Sequence, residues 1–118
     1  MKLKLHTQPD VPLEAESITP AVINKLKVKE IEKVKVFHGN REVNMAEFFT
    51  VTDNKNDLLE VEGDMHRIKY LGANMDGGEM RIEGDVGQHL GSAMSGGFIK
   101  VNGSTGAVSY THLRAHET

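Results

Sequence analysis

The chain has 118 residues, 38% of them hydrophobic and 26% charged, with a formal net charge of −3. That bounds it to one small domain and excludes a strongly basic nucleic-acid face. Cys and Trp are absent, which excludes disulfides, thiolate zinc or iron–sulfur ligation and Cys nucleophiles, and no apolar run reaches the roughly 18 residues of a membrane helix.

In chain order, K-L-K-L at Lys2 to Leu5 alternates Leu3 and Leu5 and predicts a strand. Thr19-Pro20 predicts an N-cap and first helical residue, opening a short helix through about Leu26. Val34 to Phe37 and Glu42 to Asn44 flank His38-Gly39-Asn40-Arg41, a predicted hairpin. Asn44 with Glu47 predicts a capping box before a one-turn helix carrying Phe48 and Phe49. Asp53 to Asp57 is a polar loop. Residues 1–58 together read as a small α+β N-terminal cap.

The rest of the chain is a different object. All three Pro lie in the first 20 residues, and eleven of twelve Gly lie between Gly63 and Gly106. Leu59 to Glu79 aligns with Met80 to Phe98, and a third copy begins at Ile99. From Leu71 onward the period is 19: Leu71 maps to Leu90, Met75 to Met94, and Gly77-Gly78 to Gly96-Gly97. Before Leu71 the first copy is two residues longer, an insertion between Asp64 and Leu71. Leu59-x-Val61, Met80-x-Ile82 and Ile99-x-Val101 alternate with a period of two. A mainly β fold is expected: a right-handed β-solenoid of the single-stranded β-helix type, about 19 residues per coil, behind the cap. In it Val61, Ile82 and Val101 would stack as a ladder, as would Leu71 on Leu90 and Met75 on Met94. The structural repeat motif would be Gly63, Gly72, Gly77, Gly78, Gly84, Gly87, Gly91, Gly96, Gly97, Gly103 and Gly106, at corners where a Cβ clashes or φ is positive.

The tail, Val108 to Thr118, reads V-S-Y-T-H-L-R-A-H-E-T. It back-translates to a string resembling the read-through of a transposon-library adapter. Residues 108–118 are therefore expected to be non-native, with Tyr110, His112, Arg114 and His116 carrying no function and 59–107 being the start of a longer segment. Without the tail the net charge stays −3 and four His remain.

No reactive constellation stands out. Gly84 to Gly91 is G-x-x-G-x-x-x-G, which is neither dinucleotide nor P-loop spacing, and Asp85 would repel a phosphate. Asp64 and Asp85 read as turn residues accepting backbone N–H groups. His6, His38, His66 and His89 lack metal-ligand spacing; His89 aligns with Tyr70, so neither His66 nor His89 repeats. The Met residues at the repeat spacing read as core fillers. Catalytic, cofactor-binding and metal residues are expected to be none.

The stretch G-D-V-G-Q-H-L-G-S-A-M-S-G-G-F-I-K-V-N-G, from Gly84 to Gly103, resembles the G-x-G-x-G domain. That domain is shared by the C-terminal part of glutamate synthase and the C subunit of formylmethanofuran dehydrogenase. D-V-P-L-E-A-E-S-I-T-P (Asp10 to Pro20) and K-V-K-V-F-H-G-N-R (Lys33 to Arg41), ahead of V-E-G-D-M-H-R-I-K-Y-L-G-A-N-M-D-G-G, resemble the archaeal form of that C subunit. Ser104 departs from the pattern, where the family repeat has Asn or Asp.

The resemblance implies a noncatalytic scaffold subunit of a cytoplasmic oxidoreductase complex that reduces CO2 with methanofuran to formylmethanofuran in methanogenesis. It implies a molybdopterin subunit with Mo or W and an amidohydrolase-like subunit with a binuclear metal site as partners. No cofactor is expected on this chain, and neither nucleic acid nor membrane as a partner. The alternatives are the C subunit of a bacterial formyltransferase/hydrolase complex, a glutamate-synthase-type structural domain, or a stand-alone solenoid binding module.

Overall fold

The computed structural model describes residues 1–104, 106–110 and 115–117. In chain order the elements are β1 (Lys2–Leu5), β2 (Leu13–Glu14), α1 (Pro20–Ile23), α2 (Val28–Ile31), β3 (Lys35–His38) and β4 (Arg41–Asn44). A 3-10 turn (Met45–Glu47) leads to β5 (Phe49–Thr52), β6 (Leu59–Glu62), β7 (Ile68–Lys69) and β8 (Asp76–Glu83). β9 (Gly96–Gly103), β10 (Gly106–Tyr110) and β11 (Ala115–Glu117) complete the described chain. His112, Arg114 and Thr118 of the tail lie outside the described residues.

The mainly β expectation holds, but the right-handed β-solenoid behind an α+β cap does not. The strands form two open mixed sheets, one of seven in the order β11-β10-β9-β8-β6-β1-β5 and one of four in the order β4-β3-β2-β7. The arrangement is that of a small sandwich. A single-stranded β-helix runs every strand parallel to the next. Here β6, β8 and β9 are parallel, yet β5 pairs antiparallel with β1, and β10 turns back antiparallel on β9. The physical cause lies partly in residues 1–58: β1 joins the long sheet beside β6, with Leu3 opposite Val61, and extends it.

The two-residue insertion contributes the second cause. The segment that carries it, Asp64 to Leu71, contains β7, which pairs parallel with β2 rather than continuing the long sheet. The chain from Asp64 to Leu71 thereby ties the two sheets together. One core fills the space between them, including Leu3, Leu13, Ile18, Ile23, Ile31 and Phe49 from the first half and Leu59, Val61, Leu71, Met80, Ile82 and Ile99 from the second. Burying each of these side chains is worth about 1.5–3 kcal/mol.

Local chemistry explains the short elements. Thr19 is the extended N-cap of α1, its hydroxyl accepting from the Val22 N–H at 3.4 Å, with Pro20 at the first helical position. The helix ends at Ile23, shorter than expected, because the chain tightens into an i→i−3 turn from Leu26 N–H to the Ile23 carbonyl. β3 and β4 form the hairpin, with Gly39 at φ 64° in its turn. The Asn44–Glu47 capping box does not form. Asn44 accepts from the Lys35 ammonium across the hairpin instead, and Phe49 enters β5 rather than the turn.

Candidate functional site

The densest concentration of motif residues lies along β6, β8 and β9 and the turns joining them. Parallel register places Leu59, Met80 and Ile99 in one row and Val61, Ile82 and Val101 in another. These apolar side chains are buried, so the outward rows alternate Glu60, Arg81 and Lys100 with Glu62, Glu83 and Asn102.

At the strand ends, backbone lies directly on backbone. A Cβ on Gly84 would sit 1.8 Å from the Gly63 carbonyl oxygen; on Gly96, 2.5 Å from that of Asp76; on Gly87, 2.5 Å from that of Ile68. Gly97 rests on the Gly77 peptide, where the register shifts between Asp76 and Glu79. Gly72 and Gly91 occupy matching turns, Gly78 faces Pro20 of α1, and Gly103 faces the Asp85 carboxylate. Around Gly77 and Gly106 a Cβ would meet nothing within 4 Å. The structure thus brings most of the predicted glycines together as contacts between successive strands.

Many polar groups of this region are engaged by the chain itself, while the Nε of Arg81 on β8 is buried without a partner among the described residues. Gly84 N–H donates to the Asn102 carbonyl, Gly91 N–H to Leu71, and Ser95 N–H to Met75. The Asp85 carboxylate accepts from Ser104 N–H at 2.7 Å and from the Ser104 hydroxyl at 2.9 Å. Ser104, the departure from the family pattern, serves Asp85 as its donor. Asp64 instead accepts locally from His66 N–H at 3.1 Å.

The four histidines of residues 1–107 occupy separate places. His6 bonds Thr7 and the Ala46 carbonyl, His38 bonds Asp10 at 2.8 Å, and His66 pairs with Asp64 at 2.9 Å. His89 stacks on Tyr70 with ring centroids 4.8 Å apart and planes 9° from parallel. The hydrogen bonds from His38 and His66 hold the Asp10 and Asp64 carboxyls below the ordinary carboxylate range. Among the described residues no three His, Asp or Glu side chains gather where they could hold a metal ion, and no helix is long and apolar enough to cross a membrane.

Two features escape sequence reading. The Tyr70–His89 stack has a signal, since the two positions align at the repeat spacing, and both residues adopt positive φ of 65° and 62°. The second is a cleft lined by Pro12, His66, Arg67, Lys69 and Gln88. It draws on three separated segments, and no spacing in the sequence announces it.

No family model matches the chain. It is 39% identical over 82 residues to the C subunit of the molybdenum-containing formylmethanofuran dehydrogenase 1 of Methanothermobacter marburgensis, a match covering 68% of this chain and 20% of that protein. It is 35% identical over 88 residues to the C subunit of the tungsten-containing formylmethanofuran dehydrogenase 2 of Methanothermobacter wolfeii, covering 70% and 33% respectively. The chain therefore spans between a fifth and a third of the length of these curated relatives. Among solved structures it is similar to a chain of the formyltransferase/hydrolase complex from Methylorubrum extorquens, crystallised with methylofuran. The TM-score is 0.73 at 25% identity, over 87% of this chain and 46% of that one.

Proposed function

We propose, from the premise that the chain belongs to the family of formylmethanofuran dehydrogenase C subunits, that it is a noncatalytic scaffold subunit of a formylmethanofuran dehydrogenase complex. Such a complex reduces CO2 with methanofuran to formylmethanofuran in methanogenesis. The observation that carries the scaffold role is the use of glycine. At Gly84, Gly87 and Gly96 the missing Cβ makes room for the chain's own backbone, so this motif builds a rigid body instead of cradling a ligand.

The donor set does not fit the metals of such a complex. The chain has no Cys, and His6, His38, His66 and His89 are held apart by different partners. A pterin-bound Mo or W and a binuclear metal site belong, on this reading, to a molybdopterin subunit and an amidohydrolase-like subunit packed against this one. Nine of the eleven motif glycines, all but Gly77 and Gly106, act as structural spacers.

The test is reconstitution from the full-length gene with both partner subunits. The expected result is one co-eluting complex whose CO2-dependent formylmethanofuran synthesis is lost without this subunit. Replacement of His6, His38, His66 or His89 by Gln, one at a time, is expected to leave turnover intact. Loss of turnover in an assembled complex carrying one such replacement would overturn the noncatalytic reading. Elution of this subunit on its own would overturn the scaffold reading. The likeness to the Methylorubrum complex supports a second reading, the C subunit of a formyltransferase/hydrolase complex. Formyl transfer or hydrolysis without CO2 reduction would select it.

A further inference from the structure

A cleft of about 250 Å3 opens where the segment before β2 meets β7 and the turn after β8, lined by Pro12, His66, Arg67, Lys69 and Gln88. No carboxylate side chain is in that lining, although the chain as a whole carries a net charge of −3. Arg67 is positioned rather than floppy. Its Nη1 donates to the carbonyls of Pro9 at 3.1 Å and Asp10 at 3.4 Å, leaving the guanidinium's other N–H groups uncommitted by those bonds. Neither Arg67 nor Lys69 takes part in an ion pair among the described residues. Glu14 lies in register with Lys69 on β2 without pairing to it. His66, the third basic side chain of the lining, has a carboxylate partner in Asp64.

Ile68, between Arg67 and Lys69, is buried in the core, whereas Arg67, in the turn closed by the Ile68 N–H on the Met65 carbonyl, is exposed and Lys69 on β7 is half-buried. The Arg67 guanidinium and the Lys69 ammonium line one cleft, and each can receive a carboxylate there.

We propose that this cleft docks an acidic segment of a partner protein, with Arg67 and Lys69 each receiving a carboxylate. The inference does not depend on which complex the chain serves.

The test titrates hexaglutamate into the whole 118-residue chain, followed by amide NMR, with inorganic phosphate titrated separately. Saturable shifts centred on Arg67, Lys69 and Gln88, weakening as salt rises, are expected. Lys69→Glu is expected to weaken binding about 10- to 100-fold, the loss of one charge-assisted bond. Lys25→Glu, an exposed charge away from the cleft, is expected to leave it unchanged. Should Lys69→Glu fail to fold, Lys69→Gln gives the same reading with a smaller loss. Absence of binding, equal losses in the Lys25 and Lys69 variants, or phosphate binding as tightly as the peptide would each overturn the proposal.

Discussion

Residues 1–58 turn on side chains, whereas Leu59 to Gly103 turns on glycine. In the first region a Thr19 hydroxyl starts a helix, a His38–Asp10 bond holds a loop, and Arg67 reaches in to bind the Pro9 and Asp10 carbonyls. In the second, successive strands approach until carbonyl oxygens occupy the space a Cβ would need. The first kind of joint gives way one bond at a time. The second fails as a unit, because moving one peptide disturbs the strand below it.

Gly84→Val should break that contrast most sharply. The new Cβ would fall 1.8 Å from the Gly63 oxygen, at a φ of 144°. Overpacking and an unfavourable backbone conformation together cost on the order of 4 kcal/mol. Gly77→Ala, with open space around it, should stay within about 0.5 kcal/mol of the parent. Chemical denaturation of the pair reads the difference; similar midpoints would show that glycine count matters and close approach does not.

Leu13→Ala comes next, at about 2–5 kcal/mol. Leu13 is fully buried, and its strand, β2, lies between β3 and β7. If the two sheets share one core, this change should lower a single cooperative transition, seen alike by circular dichroism and by amide exchange in β8. Separate transitions would mean that residues 1–58 and 59–103 unfold independently.

Legibility in the sequence followed the same divide. The parallel register of β6, β8 and β9 was readable because Leu59, Met80 and Ile99 repeat an apolar alternation beside glycine. The β3–β4 hairpin and the Thr19 cap were readable because each is local. β2 and β7 are two residues long, and their pairing depends on a distant partner, so L-E and I-K carried no signal. That omission turned two open sheets into an expected solenoid. The cleft at Arg67 and Lys69 was hidden for the same reason, since β7 carries Lys69 and the turn into it carries Arg67.

Thr19→Ala is a smaller probe, expected to cost about 1 kcal/mol. The N-cap bond is long at 3.4 Å, and the Val22 N–H it receives also donates to the Thr19 carbonyl at 3.2 Å, which keeps the cost modest. Pro20 beside it rests against Gly78. The loss should therefore appear as faster amide exchange in both α1 and β8. Confinement to α1 would show that the two regions touch there without coupling.

The smallest effect is pH-dependent and belongs to the side-chain joints alone. His38 holds the Asp10 carboxyl below its ordinary range, and His66 does the same for Asp64. A carboxyl whose pKa is depressed by folding stabilises the fold above its unfolded value, about 3.9, and that contribution fades as pH falls through the folded value. The hold on the loop before β2 should thus be complete near neutral pH and weaken below about pH 4. Asp10→Asn removes it at every pH. The melting temperatures of parent and variant should differ slightly at neutrality and converge in acid. Both groups are exposed, Asp10 the more so, and solvent screening keeps the gap small. A gap that persists unchanged into acid would assign Asp10 a packing role, and would move this joint to the side of the molecule that holds by contact alone.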